Sequence, residues 1–277
     1  MNDEVLQEWE ENARYWRQYA PELAQMFSGL THGLVAAAGI GPGQSVLDVA
    51  GGPGEPSLTI AELVGPKGLV TCTDAVAEMV ATAEAEARRR GSTNISFRQC
   101  AAEQLPFPDD NFDVAVCRLG AMFFPDALGA LREMVRVLKP GGVVALAVWH
   151  RSDRNPFGSI ITKKLARYIP SPPPAPGAYD AFRFAEPGSL SSILKEAGAT
   201  EVDEQILQFH IAAEISPEKF WELRSATSGS LRQKLNRLSP AERAQLWEDV
   251  RAGMSEYFSH GQMDFPAEAV LVSGRKG

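Results

Sequence analysis

The residues best suited to bind a ligand lie between positions 46 and 55 of the 277-residue chain. An apolar run over residues 46–50 contains the carboxylate of Asp48 and leads into the turn Gly51-Gly52-Pro53-Gly54. Glycines let a backbone approach a ligand closely, and a helix that begins after such a turn points its N-terminus at that ligand. The segment therefore predicts a small-molecule site at the end of a buried strand.

A second carboxylate restricts what that small molecule is. Asp74 ends the next apolar run, about 20 residues after Gly54, which is where a dinucleotide-binding enzyme carries its ribose-binding acid. However, Ser57 stands where the third glycine of the G-x-G-x-x-G pattern belongs, and Glu55 at the helix start would repel a pyrophosphate. A sulfonium cofactor with an amino-acid tail has no phosphate and is favoured by acidic neighbours such as Asp48. We therefore expect S-adenosylmethionine (SAM) rather than a dinucleotide.

Four segments in the range 45–149 resemble the class I SAM-dependent methyltransferases. The likeness is strongest to the group that contains the ubiquinone and menaquinone biosynthesis methyltransferases. The motif Asp48-Val49-Ala50-Gly51-Gly52-Pro53-Gly54 is similar to the first family motif, D-x-G-x-G-x-G, with Ala50 in place of its first glycine. The other similar segments, in family order, are 73–79, 102–113 and 136–142.

The resemblance implies roles for individual residues. Asp74 is expected to bind the ribose hydroxyls, and Arg118 to lie where the methionine tail or the substrate would be. The family often has an Asp at the position of Ala101, which bonds the adenine amine; here Glu103, a backbone carbonyl or water would replace it. The predicted cofactor-binding set is Asp48, Ala50, Gly51, Gly52, Gly54, Asp74, Ala75, Met79, Ala102, Glu103 and Arg118.

Purely structural roles remain open for four of these residues. Asp48 and Asp74 are also suited to capping a strand end and a helix, respectively. Met79 is equally suited to core packing, and Arg118 to a surface ion pair.

The resemblance also implies the chemistry, which is in-line methyl transfer to a small-molecule acceptor with S-adenosylhomocysteine (SAH) as the product. A base is needed only if the nucleophile must lose a proton. His150 follows the fifth apolar run, at the sheet edge where ligands bind, and is the predicted catalytic base. A plain polar residue at a strand end is the alternative, and His210, Asp153 and Asp126 are lesser candidates.

Two other functions stay open. One is a SAM-binding protein of the same fold that does not methylate, and uses SAM for structure or for another reaction. The other, less favoured, is a NAD-dependent oxidoreductase.

Alternating strands and helices are expected to position these residues. This alternation predicts an α/β fold, a Rossmann-like class I methyltransferase sheet that is mostly parallel with helices on both faces and a helical or loop cap. The last strand, 267–275, is expected to be antiparallel. The predicted core strands are 45–50, 69–73, 95–99, 114–118 and 143–149, and the predicted core helices are 57–64, 76–90 and 127–138.

The flanks are expected to cover the core. Residues 1–40 are predicted to form a helical lid, made of an amphipathic helix 3–30 broken at Pro21 and a short helix 31–38 that ends at Gly39. Residues 41–150 form the SAM-binding core. Residues 151–277 hold a substrate-cap insertion, extra helices at 188–197, 217–226 and 240–258, and the last strands, including one at 201–209.

The cap insertion is predicted to be a mobile gate. Regular patterning is lost between His150 and Pro187, and the proline-rich stretch 171–177 excludes helix or central strand. Aromatic side chains around it suit an apolar or aromatic acceptor. The C-terminal helices are expected to form another pocket wall or a homodimer face.

Composition excludes several classes of protein. The formal net charge of -8 and pI near 5.2 argue against a nucleic-acid groove, which needs clustered Lys and Arg. The three cysteines form no C-x-x-C pair, and no metal-ligand cluster is visible. The acidic N-terminus does not resemble a signal peptide, and no apolar stretch is long enough to span a bilayer. We expect a cytoplasmic protein.

Overall fold

A computed structural model describes residues 3–170 and 180–277, with side chains from residue 6 onward. The described strands form one sheet in the order β3-β2-β1-β4-β5-β8-β6, with β7 paired to β8. The strands are β1 (Ser45–Val49), β2 (Leu69–Asp74), β3 (Ile95–Gln99), β4 (Phe112–Arg118), β5 (Leu138–Trp149), β6 (Ala199–Ala213), β7 (Phe258–Ser259) and β8 (Gln262–Lys276).

Strands β1 to β5 pair in parallel, and β8 runs antiparallel to both β5 and β6. This confirms the predicted mostly parallel Rossmann-like sheet with an antiparallel last strand. The chain leaves β1 toward β2 on one side and returns to β4 on the other. The carboxyl ends of β1 and β4 therefore flank the crevice in which ligands of such sheets bind.

Helices cover both faces of the sheet. Because successive strand residues point to opposite faces, Val46 of β1 joins one core cluster and Leu47 joins the other. The helices are α1 (Asp3–Gln18), α2 (Ala20–Met26), α3 (Ser28–Ala38), α4 (Ser57–Val64), α5 (Ala77–Arg90), α6 (Ala127–Arg136), α7 (Pro156–Leu165), α8 (Ser189–Glu196), α9 (Pro217–Thr227), α10 (Gly229–Leu235) and α11 (Pro240–Gly253).

The N-terminal segment contains three helices where two were predicted. The long helix is interrupted at Tyr19 and Phe27, and Pro21 lies in the first turn of α2, where its missing N–H costs nothing. Gly39 ends α3 with a left-handed φ of +62°, as its position in the sequence predicts. Helices α2 and α3 pack against β6, so this segment belongs partly to the core.

The expectation of an irregular 150–187 segment is wrong over α7. Pro156 occupies the first turn of that helix, a position that tolerates proline. Phe157 is 2% exposed and contacts Phe220 and Phe265 edge-on, so α7 is held by the main core. The proline-rich stretch 171–177 and Tyr179 lie outside the described residues.

Candidate active site

The turn after β1 has a backbone that only small side chains allow. Ala50, Gly52 and Gly54 have φ values of 58°, 56° and 121°, in the region that favours glycine. A Cβ on Gly51 would lie 2.6 Å from the Sγ of Cys72 and 2.8 Å from Oδ2 of Asp48. The bare backbone of Gly51 and Gly52 therefore faces the pocket described below.

Asp48 lies beneath this turn. Its side chain is fully buried, and Oδ2 accepts a 2.6 Å hydrogen bond from the hydroxyl of Ser57, the first residue of α4. Its Oδ1 has no hydrogen-bond partner among the described residues. Burial raises the pKa of Asp48 to about 7, so this carboxyl binds a proton far more readily than an exposed one. Asp48 supports the turn from below and does not line the pocket.

Asp74 links the two loops that follow β1 and β2. One carboxylate oxygen accepts from the N–H of Gly52 at 3.0 Å, and the other accepts from the N–H of Val76 at 2.9 Å. Burial raises its pKa, although these backbone N–H groups oppose the shift. The side chain both caps the start of the loop before α5 and lines the pocket.

A pocket of about 530 Å³ opens at the carboxyl ends of β1, β2 and β4. One half is formed by the loops after β1, β2 and β3. The other half is formed by α1, α2 and the turn after β4. The predicted cofactor residues that line it are Ala50, Gly51, Gly52, Asp74, Ala75, Met79, Ala102, Glu103 and Arg118.

Gly54 is among the predicted cofactor residues that do not line this pocket. A Cβ on Gly54 would meet Leu58 at 2.8 Å and the backbone of Ala83 at 3.4 Å. The glycine therefore permits close packing of α4 against α5 rather than contact with a ligand.

Glu103 presents a carboxylate to the pocket in an unusual environment. Both of its carboxylate oxygens are buried, and neither has a hydrogen-bond partner among the described residues. A buried acceptor without a partner is costly, so the position is suited to a ligand that brings a donor. The neighbouring Ala101 leaves Glu103 as the acidic side chain at this end of the pocket.

Arg118 ends β4 and lies partly buried at the other end of the pocket. Its guanidinium donates to the hydroxyl of Thr31 at 2.7 Å and to the carbonyl of Glu55 at 2.9 Å. It also lies over the ring of Phe27, 5.9 Å from the centroid. Burial lowers its pKa, while the nearby carboxylates of Glu55 and Asp48 act in the opposite sense. The residue is not the surface ion pair of the alternative hypothesis.

Aromatic side chains form the opposite half of the pocket. Trp9 of α1 contacts Phe123 edge-on with ring centroids 5.1 Å apart, and its centroid lies 5.7 Å from that of Trp16. Phe27 and Phe124 extend the same wall. Helix α1 packs on α5, and α1 and α2 together close one side of the pocket.

His150 lies away from this pocket. Its Nδ1 is 2.8 Å from a carboxylate oxygen of Glu268 on β8, and Asn155 donates to its backbone carbonyl. The pair is mostly buried, with 13% and 15% of the side chains exposed. The arrangement joins β5, α7 and β8, and its described contacts are structural.

The other base candidates also lie elsewhere. His210 pairs with Asp264 at 2.6 Å and, with Asp153, lines a separate surface groove. Asp126 caps α6 by accepting from the N–H of Gly129. Of the described residues of the 150–186 segment, none lines the main pocket, so the predicted gate is not formed by them.

The central part of the chain is similar in sequence to a known family of proteins. Residues 31–158 match the ubiE/COQ5 methyltransferase family. The sequence is 41% identical over 137 residues to the ubiquinone/menaquinone biosynthesis C-methyltransferase UbiE of Shewanella sediminis, covering 49% of this chain and 55% of that one. The chain spans about half the length of the curated relatives it matches.

Two solved structures share the fold over most of the chain. The YcgJ protein of Bacillus subtilis has a TM-score of 0.57 at 24% identity and covers 89% of this chain and 97% of its own. The (4+2)-cyclase SpnF has a TM-score of 0.55 at 21% identity, with 96% and 95% covered. Over residues 31–158 the chain is therefore similar to the SAM-dependent methyltransferases of the ubiE/COQ5 group.

The cofactor of such methyltransferases is SAM, and the described residues fit it. Glu103 offers unpartnered acceptor oxygens, Asp74 offers a lining carboxylate, and Gly51 lines the pocket with its backbone. Within the described ranges, no group of His, Cys, Asp and Glu is arranged to hold a metal ion. No helix of the described part is long and apolar enough to cross a membrane.

The sequence interpretation missed part of the pocket lining. Leu119, Phe123 and Phe124 line the pocket directly after β4 but were not among the candidates. A signal was available, because ligands bind beyond the carboxyl ends of parallel strands, and this apolar run follows such an end. Its short 3-10 turn, Ala121–Phe123, turns the aromatic rings back toward α1.

Proposed function

We propose that this chain transfers a methyl group from SAM to a small, largely apolar acceptor. The observation that carries the proposal is a single pocket with a polar, acidic side and an aromatic side. One side holds the glycine turn, Asp74 and Glu103, and the other holds Trp9 and Phe27 with the turn after β4. A polar, acid-lined half suits a cationic nucleoside cofactor, and an aromatic half suits an apolar acceptor.

The chain's own contribution is binding, alignment and exclusion of water. Bound SAM supplies a methyl group on a good leaving group, so the hard chemistry belongs to the cofactor. The bare backbone at Gly51 and Gly52 allows close approach to the cofactor, and the α1–α2 wall keeps water from the reacting atoms. His150 has no part in this scheme, because its ring is held by Glu268.

Part of the aromatic wall lies outside the segment that matches the family. Trp9, Trp16 and Phe27 lie before residue 31, where the family match begins. The cofactor half lies inside the matched segment. The identity of the acceptor is therefore to be sought with this chain itself and not inferred from UbiE.

A second function has a specific observation in its favour. The (4+2)-cyclase SpnF shares the fold over 96% of this chain, so the fold also occurs in an enzyme named for ring closure. In this alternative the chain binds SAM or SAH without transferring the methyl group. The two functions differ in whether SAM is consumed.

Calorimetric titration of the purified chain with SAH, SAM and NADH tests the cofactor. We expect SAH and SAM to bind and NADH to give no heat of binding. Incubation with SAM and a panel of phenols and aromatic carboxylic acids then tests transfer, with release of SAH and gain of a methyl group by mass spectrometry as the readout. SAH binding without release of SAH from SAM in any acceptor mixture would favour the non-methylating alternative, and NADH binding alone would refute both.

A matched pair of variants assigns the activity to the pocket. Glu103→Gln removes an unpartnered lining carboxylate, whereas Glu268→Gln changes a carboxylate that lies outside the pocket. We expect the first to weaken SAH binding and the second to leave it unchanged. Equal effects of the two substitutions would contradict the proposed site.

A further inference from the structure

The pocket face of α1 has little core beneath it. This face carries Trp9, Ala13 and Trp16, which recur at the three- and four-residue spacing of one side of a helix. Ala13 joins a small cluster with Val76 and Met79 at the start of α5, separate from the two main core clusters. So small a cluster fixes the position of a helix weakly. Other contacts are therefore needed to set the distance between α1 and the rest of the pocket.

A second face of α1 supplies such contacts with α9 and α10. It carries Asn12 and Tyr15, and Tyr19 follows directly after the helix. The guanidinium of Arg232 on α10 donates to Oδ1 of Asn12 at 2.7 Å and lies over the ring of Tyr15, 4.7 Å from its centroid. The hydroxyl of Tyr19 donates to a carboxylate oxygen of Glu222 on α9 at 2.6 Å. These contacts tie α1 to the C-terminal helices.

Arg232 is at the centre of this connection. Its other terminal nitrogen donates to the carbonyl of Ala226 near the end of α9 at 2.6 Å, so one side chain joins α10, α9 and α1. Asn12 is 4% exposed, and a buried amide oxygen is costly without a donor. Because the guanidinium is planar and is held by three groups, its bond to Asn12 has a defined direction and length.

Gly229, the first residue of α10, leaves the space that the Asn12 side chain occupies. A Cβ on Gly229 would lie 2.8 Å from Nδ2 of Asn12 and 2.8 Å from Oε1 of Glu8. Contacts this short require a shift of the neighbouring atoms. Glu8 is exposed and can turn away, whereas Asn12 is buried between the helices. Close approach of α1 to α10 therefore depends on this glycine.

We propose that Arg232 is a positioning residue for the aromatic half of the pocket, and that its contact with Asn12 sets the distance of α1 from the cofactor half. The described residues of α9 and α10 do not line the pocket, so Arg232 acts through α1. The inference rests on the proposed function, because it presumes that an apolar acceptor binds against Trp9 and Trp16. A gap of about 0.5–1 Å between such surfaces forfeits roughly a quarter to a half of their dispersion attraction. The width of acceptor that fits is then set by helices outside the family match.

Calorimetry with two probes tests this inference. SAH reports on the cofactor half, and 2-naphthol, added to the chain saturated with SAH, reports on the aromatic half. We expect Arg232→Met to weaken 2-naphthol binding about five- to ten-fold and to leave SAH affinity within about two-fold. Arg232→Lys keeps a donor for Asn12 but loses the fork, so it should recover part of the 2-naphthol affinity.

Three further variants separate the position of α1 from folding. Gly229→Ala keeps the guanidinium but displaces Asn12, so it should weaken 2-naphthol binding in the same way. Asn12→Ala together with Arg232→Met should have no more effect on 2-naphthol than either change alone, because both remove the same contact. Arg251→Met is the control, since this arginine pairs with Glu248 on α11, which contributes no residue to the pocket lining. Thermal melting of each variant reports any loss of fold.

The outcomes distinguish this inference from the proposed function. If the wild-type chain binds neither probe, the proposed function fails and this inference fails with it. If the chain binds SAH but not 2-naphthol, the inference is overturned while the cofactor stands. Equal weakening of both probes by Arg232→Met would show that this arginine supports the fold in general, and unchanged 2-naphthol binding would show that α1 keeps its position without it. Either result overturns the positioning role.

Discussion

At the scale of single residues, the carboxylates around the glycine turn divide the work between support and binding. Asp48 is sealed under the turn, Asp74 bridges two loops at the pocket wall, and Glu103 has buried oxygens that nothing in the described chain uses. The sequence predicts that acids gather here, because strand ends meet at one edge of a sheet. It does not predict which of them touches a ligand, because that depends on where neighbouring loops turn.

The protonation of Asp48 should be visible in the stability of the free chain. Its pKa in the folded chain is about 7, above the ordinary value of 3.8. A raised carboxyl pKa contributes stability that is complete below pH 4 and is lost as pH rises through 7. This shift in pKa corresponds to a change of up to roughly 4 kcal/mol in the free energy of unfolding. We expect Asp48→Asn to flatten the dependence of the free energy of unfolding on pH between 4 and 8, measured by urea denaturation.

Asp113 provides a control of opposite sign for this measurement. Although burial raises its pKa, hydrogen bonds from Lys139 and from the N–H of Ser45 lower it overall. Its contribution is present at neutral pH and is lost as pH falls below 4, so Asp113→Asn should leave the slope between pH 5 and 8 unchanged. An Asp48→Asn slope equal to that of the wild-type chain would show that Asp48 is ionised throughout.

Asp74 and Asp126 form a second matched pair. Each accepts from a backbone N–H near the start of a helix, but only Asp74 lines the pocket. We expect Asp74→Ala to weaken SAH binding about ten- to a hundred-fold through the lost charged hydrogen bonds. Asp126→Ala should cost about 1 kcal/mol of stability as a lost N-cap and leave SAH affinity intact. Normal SAH affinity in a folded Asp74→Ala variant would make Asp74 a cap only.

At the scale of elements, the wall of the pocket is formed by α1 and α2 and not by the predicted gate. The sequence suggested a cover from both flanks, because both carry aromatic residues and prolines. Phe157 belongs to the segment predicted to form a gate, but it lies in the main core, 2% exposed. The periodicity of apolar residues does not distinguish an aromatic residue of a gate from one of the core, because both are apolar positions on a helix or loop that packs against the protein.

Hydrogen exchange can test the wall directly. Saturating SAH should slow amide exchange in α1 and α2, since ligand contacts stabilise an element that otherwise opens locally. Helix α11 serves as an internal control, because it packs on α7 and contributes no residue to the pocket lining. Equal slowing in α1 and α11 would indicate a general stabilisation, and unchanged exchange in α1 would refute the wall.

At the scale of the whole molecule, predictability differs between the two halves of the chain. Helix 57–64 and strand 95–99 have the predicted bounds, because their burial follows from local β-α alternation. Strands β6 and β8 run to 15 residues each, beyond the predicted 201–209 and 267–275. Their ends are held by pairing with each other, from Ala199–Lys276 to Ala213–Met263, which no local pattern of hydrophobicity records. The sequence analysis also does not predict helix α10, which packs on α9 and α1.

The central position of β8 has a consequence for synthesis of the chain on the ribosome. Strand β5 ends at Trp149, but β8, which pairs with it, begins at Gln262. Translation therefore leaves the open edge of β5 and the whole of β6 without a hydrogen-bonding neighbour until the last strand emerges. All the described residues that line the main pocket lie at or before Pro125 in the sequence. The described pocket residues are therefore synthesised long before the sheet is complete. Until β8 emerges, the unpaired edge of β5 and the strand β6 must be kept from pairing with other chains.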